Sequence, residues 1–284
     1  EQDQHGVTGW TRENNEAVSQ QTVRARRFWE AADQDGQTVL QLGSLLTSPV
    51  VELNGVNVGD ALVRSWYNKS SSNADLDNHV YPASRSDELG KLIPNTDWLG
   101  AHPILGHQIQ TVGGGVHPLA ADEANVRFFE MLWPELQPQL GVLYLKGADR
   151  VGHLADPLSQ TGQATAASTR YAKFSDIGPQ WVGEYYLYID EALGRIMEHV
   201  DPRTTTVVLA SDHGFEINND ESEYLSRHRN PGLLIGWGHS ARTDVGYTTV
   251  SQLDLGVTLY GLLGLPPGAD SKGRYLHELF DLED

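Results

Sequence analysis

Apolar positions along the chain follow two alternating periods. Between Pro179 and Val200, the residues Val182, Tyr185, Ile189, Leu193 and Ile196 recur every three or four positions, the spacing of an amphipathic helix. The same reasoning predicts a helix over Val18–Ala32, where Val18, Val23, Phe28 and an Ala pair share one side and the run ends near Gly36. Further helices are predicted over Asp60–Tyr67, Ser86–Leu92, Asp122–Leu132, closed by Trp133-Pro134, and Leu253–Leu263 before Pro266-Pro267. Strands are expected in the gaps. Thr38–Gly43 reads as short and buried, and Gly141–Leu145 as apolar enough to be covered on both faces. Thr204–Ala210 is rich in β-branched residues, and Gly232–Ile235 is a further candidate. The polar stretch Asn68–Asn78 reads as a surface loop. Strands alternating with helices predict an α/β fold, a parallel or mixed sheet sandwiched between helix layers. With no internal repeat and no clean linker, residues 1–284 are expected to form one domain.

Composition narrows the function. The 284 residues carry 38 Asp+Glu against 20 Lys+Arg, a formal charge of −18. Such a chain has no cationic excess with which to neutralise a nucleic-acid backbone or an anionic membrane surface. Hydrophobic residues at 39% with seven Trp exclude a solvated disordered chain. There is no cysteine, so disulfides, thiolate nucleophiles and Cys-based metal sites are excluded, and any metal must be held by carboxylates and the 11 histidines. No apolar run approaches the roughly 18 residues of a membrane span, and no signal peptide is evident. The chain begins at Glu1 without Met, which reads as a cut edge.

In open α/β sheets, ligands bind beyond the carboxyl ends of strands. Two predicted strand ends carry carboxylate and imidazole together. Gly141–Leu145 leads into Lys146-Gly-Ala-Asp149-Arg-Val-Gly-His153, and Thr204–Ala210 leads into Ser211-Asp212-His213-Gly214-Phe215. Asp149 and His153 can face one ion if the segment turns helically, while Asp212 and His213 can do so if the backbone turns sharply at Gly214. Singly, each has a plain structural reading: an Asp-x-x-x-His arises by chance, and Asp212 could cap a helix. Together at two strand ends they favour a metal site. A further histidine is needed, and both His228 and His239 are candidates. Other features attract no function: the Tyr185–Tyr188 cluster reads as helix core and rim, Gly113-Gly-Gly115 as a flexible loop, and His102, His107 and His117 take no assigned role.

The chain resembles the type I phosphodiesterase/nucleotide pyrophosphatase branch of the alkaline phosphatase superfamily. The resemblance rests on Tyr144 to His153, on Tyr188-Ile-Asp-Glu-Ala-Leu-Gly-Arg195 and on Ala210-Ser-Asp-His-Gly-Phe215. It extends to His228-Arg-Asn-Pro-Gly-Leu-Leu-Ile235, Val250-Ser-Gln-Leu-Asp254 through Thr258-Leu, Leu262 to Pro266 and Gly273 to Leu276. Phe28-Trp-Glu30, Asn54-Gly55 and Tyr81-Pro82 fall in the same order.

The resemblance implies a three-layer α/β/α sandwich with a mostly parallel central sheet, and a variable substrate-pocket insertion within residues 44–140. It implies two divalent ions, zinc or manganese. Asp149, His153 and His228 would hold one, with His239 as the alternative to His228, and Asp212 and His213 would form part of the second site. The implied activity is hydrolysis of phosphodiester or nucleotide pyrophosphate bonds in a small phosphate-ester or nucleotide substrate. Phosphomonoesterase, phosphonate hydrolase and sulfatase are alternatives, as is a catalytically silent binding domain. His5-Gly-Val-Thr-Gly-Trp10 resembles a segment that follows the first strand, so that strand, its Asp and a Thr or Ser nucleophile are expected upstream of Glu1. On that expectation the 284-residue chain alone lacks turnover, and its compartment is open between periplasmic or secreted and cytoplasmic.

Overall fold

Val39–Leu42 (β1) stands at the centre of the structure, with all four residues buried. The structure is a computed structural model and describes residues 23, 25–67, 76–101, 118–154, 180–216, 227–269 and 271–281. Gly55–Val58 (β2) pairs with β1 in parallel on one side, and Leu140–Leu143 (β4) does so on the other. Val80–Tyr81 (β3) adds an antiparallel edge beyond β2, giving the order β3-β2-β1-β4.

Strand alternation divides the side chains between two layers. Leu40 and Leu42, with Val56 and Val58 opposite them in register, face a large core. That core is closed by Leu62–Tyr67 (α2), Ser86–Leu92 (α3), Thr96–Ala101 (α4), Pro118–Leu136 (α5), Gly147–Leu154 (α6) and Gln180–Met197 (α7). Val39 faces the other way, into a smaller core of Ala31 and Ala32 from Phe28–Gln34 (α1) and Tyr260 from Gln252–Leu262 (α8). Helices therefore cover both faces of a mostly parallel sheet, as the alternating pattern predicts. The remaining strands form antiparallel pairs of their own. Thr206–Ala210 (β5) pairs with Leu234–Gly238 (β8), and Gly214–Glu216 (β6) with Arg227–Arg229 (β7).

Helix α5 is the spine of the larger core. Leu119, Ala120, Ala124, Phe128 and Leu132 are fully buried along it, as are the acidic pair Asp122 and Glu123. The pair is tied to α7 at both residues. Tyr185 Oη donates to Asp122 at 2.7 Å, and Arg195 Nη1 to Glu123 at 2.8 Å. Arg127 Nε also donates to Glu123 at 2.7 Å, and Arg195 grips Glu130 through two further bonds of 2.8 and 2.7 Å.

Some sequence expectations need correction. Trp133-Pro134 does not close α5, which continues to Leu136. Pro134 lacks only its own N–H, a small loss in a last turn where Gln137 N–H still reaches Trp133 O at 3.0 Å. Strand β4 packs on both faces, Leu143 against the larger core and Leu140 against the smaller one, yet its residues stay partly exposed. Leu76, within the expected surface loop, is buried in the core. The remainder of that loop up to Asp75, Val18–Thr22, the His5–Trp10 segment, Gly113–Gly115, His102, His107 and His117 lie outside the described residues. The expected Val18–Ala32 helix starts only at Phe28: Val23 and Ala25–Arg27 are not helical, because Arg27 is extended and its N–H donates to Glu30 as the helix cap.

Candidate metal centre

Asp149 is the third residue of α6, the helix that starts where β4 ends. His213 and His228 come from the other side of the site, flanking or lying within the β6–β7 hairpin, where Phe215 is in register with His228. One ligand atom each from Asp149, His213 and His228 fall within 4.8 Å of one another, the group of metal-ligand character found among the described residues. His228 Nε2 lies 3.1 Å from Asp149 Oδ1, and His213 Nε2 lies 3.8 Å from the same oxygen. The two imidazoles stack, with centroids 3.7 Å apart and planes 14° from parallel.

Two glycines permit this convergence. A Cβ on Gly152 would come within 2.9 Å of the Phe215 ring, so its absence lets α6 lie directly on β6. A Cβ on Gly214 would stand 2.8 Å from Pro231 O. Gly214, where the sequence predicts a sharp turn, serves close backbone approach, and its φ is not positive. Ser211 fastens the other end of the crossing, with its N–H donating to Leu233 O at 2.8 Å and its Oγ accepting from Leu233 N–H at 2.7 Å.

Asp212 is exposed, with Oδ2 3.5 Å from His213 Nε2, and its carbonyl accepts from Gln252 Nε2. His153 lies in α6 one turn beyond Asp149, on the same helix face by spacing, and its side chain is outside the described residues. His239 is not brought to the cluster. Its N–H donates to Thr205 O, at the start of β5, whereas Asp212 and His213 follow the end of β5. A five-residue strand therefore intervenes.

The electrostatics around the cluster are anionic. Burial pushes the Tyr144 phenol up to about 12, reinforced by the charges of Asp212, Asp149 and Asp122. Burial also lowers the Lys146 ammonium, helped by Arg150. His213 Nδ1 is 2.9 Å from Gly214 O, and donation there leaves Nε2 with a free lone pair. Two imidazoles and a carboxylate are a donor set suited to zinc, and carboxylate with imidazole also accepts manganese.

Asp122 escaped the sequence reading. Its buried carboxylate accepts from Lys146 N–H at 3.0 Å and Gly147 N–H at 2.9 Å, at the head of the helix that carries Asp149. Asn125, one turn further along α5, donates from Nδ2 to Tyr144 O at 3.1 Å. The available signal was an Asp and an Asn at core positions of an apolar helix, where a polar side chain requires a partner.

Among the described residues, no helix is long and apolar enough to cross a membrane. No curated protein matches the chain, and neither does any solved structure. The family model described as type I phosphodiesterase / nucleotide pyrophosphatase matches residues 2–235, which include β1 to β7, Asp149, His213 and His228. The chain belongs to the type I phosphodiesterase / nucleotide pyrophosphatase family.

Proposed function

We propose that this protein is a metal-dependent hydrolase of phosphodiester or nucleotide pyrophosphate bonds. The observation that carries the reading is the convergence of Asp149, His213 and His228 ligand atoms within 4.8 Å, from segments far apart in sequence. In this reading Asp149, His153 and His228 serve one divalent ion, and Asp212 and His213 serve a second beside it. His213 Nε2 stands 3.8 Å from Asp149 and 3.5 Å from Asp212, which suits adjacent sites. Zinc or manganese fits the donors, and when bound supplies Lewis-acid stabilisation of charge on phosphoryl oxygens.

The chain's own groups do the rest. Asp149 contributes the negative charge that draws a cation between the two rings. Donation from His213 Nδ1 to Gly214 O holds that ring in the tautomer whose Nε2 accepts. The 3.1 Å approach of His228 Nε2 to Asp149 Oδ1 brings an imidazole and a carboxylate to the place where both would serve as ligands. A local cation also reconciles a net charge of −18 with an anionic substrate, because the field at the site is set by the nearest charges. The segment we assign to shaping the substrate pocket is an insertion within residues 44–140.

The test is metal content after dialysis, with hydrolysis of bis(p-nitrophenyl) phosphate expected only where the Thr or Ser nucleophile placed upstream is present. Zinc or manganese is expected in stoichiometric amount in the unaltered chain and in His239→Ala, and is expected to be lost from Asp149→Ala and His228→Ala. Absence of stoichiometric metal in every version identifies a silent domain and ends the proposal. Preference for a phosphomonoester over the diester moves the activity to another branch of the superfamily.

A further inference from the structure

The first turn of a helix leaves N–H groups without intrahelical partners, and these are ordinarily met by a side chain at the N-cap. Helix α6 has no such residue. Its first helical bond runs from Arg150 N–H to Lys146 O at 3.4 Å, which makes Lys146 the capping position, and a lysine side chain cannot accept a hydrogen bond. The acceptor comes instead from another helix. Asp122 Oδ1 takes Lys146 N–H at 3.0 Å, and Oδ2 takes Gly147 N–H at 2.9 Å together with Tyr185 Oη at 2.7 Å. Both oxygens of a fully buried carboxylate are thereby committed to one turn of chain and to the tyrosine behind it.

The fit is close. A Cβ on Gly147 would lie 1.6 Å from Tyr185 Oη and 2.7 Å from Asp122 Oδ2, so only glycine can occupy that step. Asn125 holds Tyr144, three residues upstream of Gly147, to the same face of α5. Asp149 is two residues beyond Gly147. Its direction toward His213 and His228 is thus set at one end by the carboxylate and at the other by the packing of Gly152 on Phe215.

We propose that Asp122 is a positioning residue for the metal centre: bonded by Tyr185, it caps α6 from α5 and holds Asp149 in ligating geometry. This inference rests on the metal reading of the Asp149–His213–His228 cluster. Asp122 itself touches neither ion nor substrate. It replaces the adaptable solvent that would otherwise meet the helix start, and so removes rotational freedom from the ligand. Supporting groups of this kind ordinarily change metal affinity by about 10–100-fold when lost.

The experiment measures Zn²⁺ affinity of the 284-residue chain by competition with a chromophoric chelator, alongside urea unfolding. Asp122→Asn keeps the shape but turns an amide N–H₂ toward one of the donors. It is expected to remain folded and to bind Zn²⁺ about ten-fold or more weakly. Phe129→Leu, a core substitution on the same helix, is expected to lower stability and leave Zn²⁺ affinity unchanged. Tyr185→Phe removes only the third bond to the carboxylate and is expected to weaken affinity several-fold; it decides the matter if Asp122→Asn does not fold. Asp149→Asn is the reference for the parent reading. If Asp149→Asn abolishes binding while Asp122→Asn and Tyr185→Phe bind as the unaltered chain does, the positioning role is overturned and the metal centre stands. If Asp149→Asn binds Zn²⁺ unchanged, both are overturned.

Discussion

His228 Nε2 lies 3.1 Å from Asp149 Oδ1, although 79 residues separate the two in sequence. The pair closes the gap between α6 and the β6–β7 hairpin, elements with no backbone pairing to each other. An ion bound there links two parts of the fold that otherwise meet through side chains.

Metal removal is therefore expected to lower stability. A ligand that binds only the folded state at 100 times its Kd adds about 2.7 kcal/mol. Treatment with a chelator is expected to lower the thermal midpoint, and zinc to restore it in the unaltered chain and not in His228→Ala. Scanning calorimetry with and without added zinc checks this; equal recovery in His228→Ala counts against the site.

Gly152 bears directly on the cluster geometry. Gly152→Ala places a methyl 2.9 Å from the Phe215 ring, and the helix or the ring must move. A cost on the order of 1–3 kcal/mol is expected, with weaker zinc binding. The double variant Gly152→Ala/Phe215→Leu is expected to recover part of both losses. Chelator competition and urea unfolding read the outcome, and an unchanged zinc affinity in Gly152→Ala contradicts the proposed dependence.

Asp122 gives a pH signature. Burial raises its carboxyl to about 6, outweighing the bonds from Tyr185, Gly147 and Lys146 that pull it down. A carboxyl raised in the folded state holds its proton there between about 3.8 and 6, while the unfolded chain releases it. Stability from this group is then greatest below pH 4 and declines as pH rises through 6, by an amount on the order of 3 kcal/mol. Relative to neutral Asp122→Asn, the unaltered chain is expected to lose ground over that window. Urea unfolding of both at pH 4, 5, 6 and 7 tests the sign, and a gap widening in favour of the unaltered chain contradicts it.

Arg195 joins Glu123 and Glu130 across α5 and α7, and Glu123 is nearly fully buried. Arg195→Ala is expected to cost about 2 kcal/mol at pH 7, since Arg127 and Tyr188 still partner Glu123. The arginine also holds the Glu130 carboxyl below its usual 4.5. That part of the stabilisation is present above pH 4.5 and disappears as pH falls, so the difference between the two proteins is expected to narrow below pH 4.5. Paired unfolding curves at pH 7 and pH 4 measure it.

Most of the scaffold was legible because its signals are local. The three-to-four spacing of Val182, Tyr185, Ile189, Leu193 and Ile196 marks α7, and the β-branched run before Ala210 marks β5. Strand β3 is two residues long and β6 and β7 are three each, too short for a period to register. The cluster was half legible. The Asp149 and His213 segments announce themselves at strand ends, but the choice between His228 and His239 turns on long-range pairing, which sets His228 opposite Phe215 and ties His239 to Thr205. Asp122 was legible only as a core polar residue in need of a partner, because its partners are backbone groups 24 and 25 positions away that no composition or spacing encodes.

The β6–β7 hairpin carries a less obvious consequence. His228 is flanked by Arg227 and Arg229, and it faces Phe215 only because the ladder is in its present register. Successive strand residues point to opposite faces, so a slip by one position exchanges the imidazole for a guanidinium. An arginine at that place would neutralise Asp149 and repel a divalent ion. Three paired residues on each strand thus act as a code whose reading frame sets the polarity of the site, and a bound ion would be the proofreader that selects the correct frame.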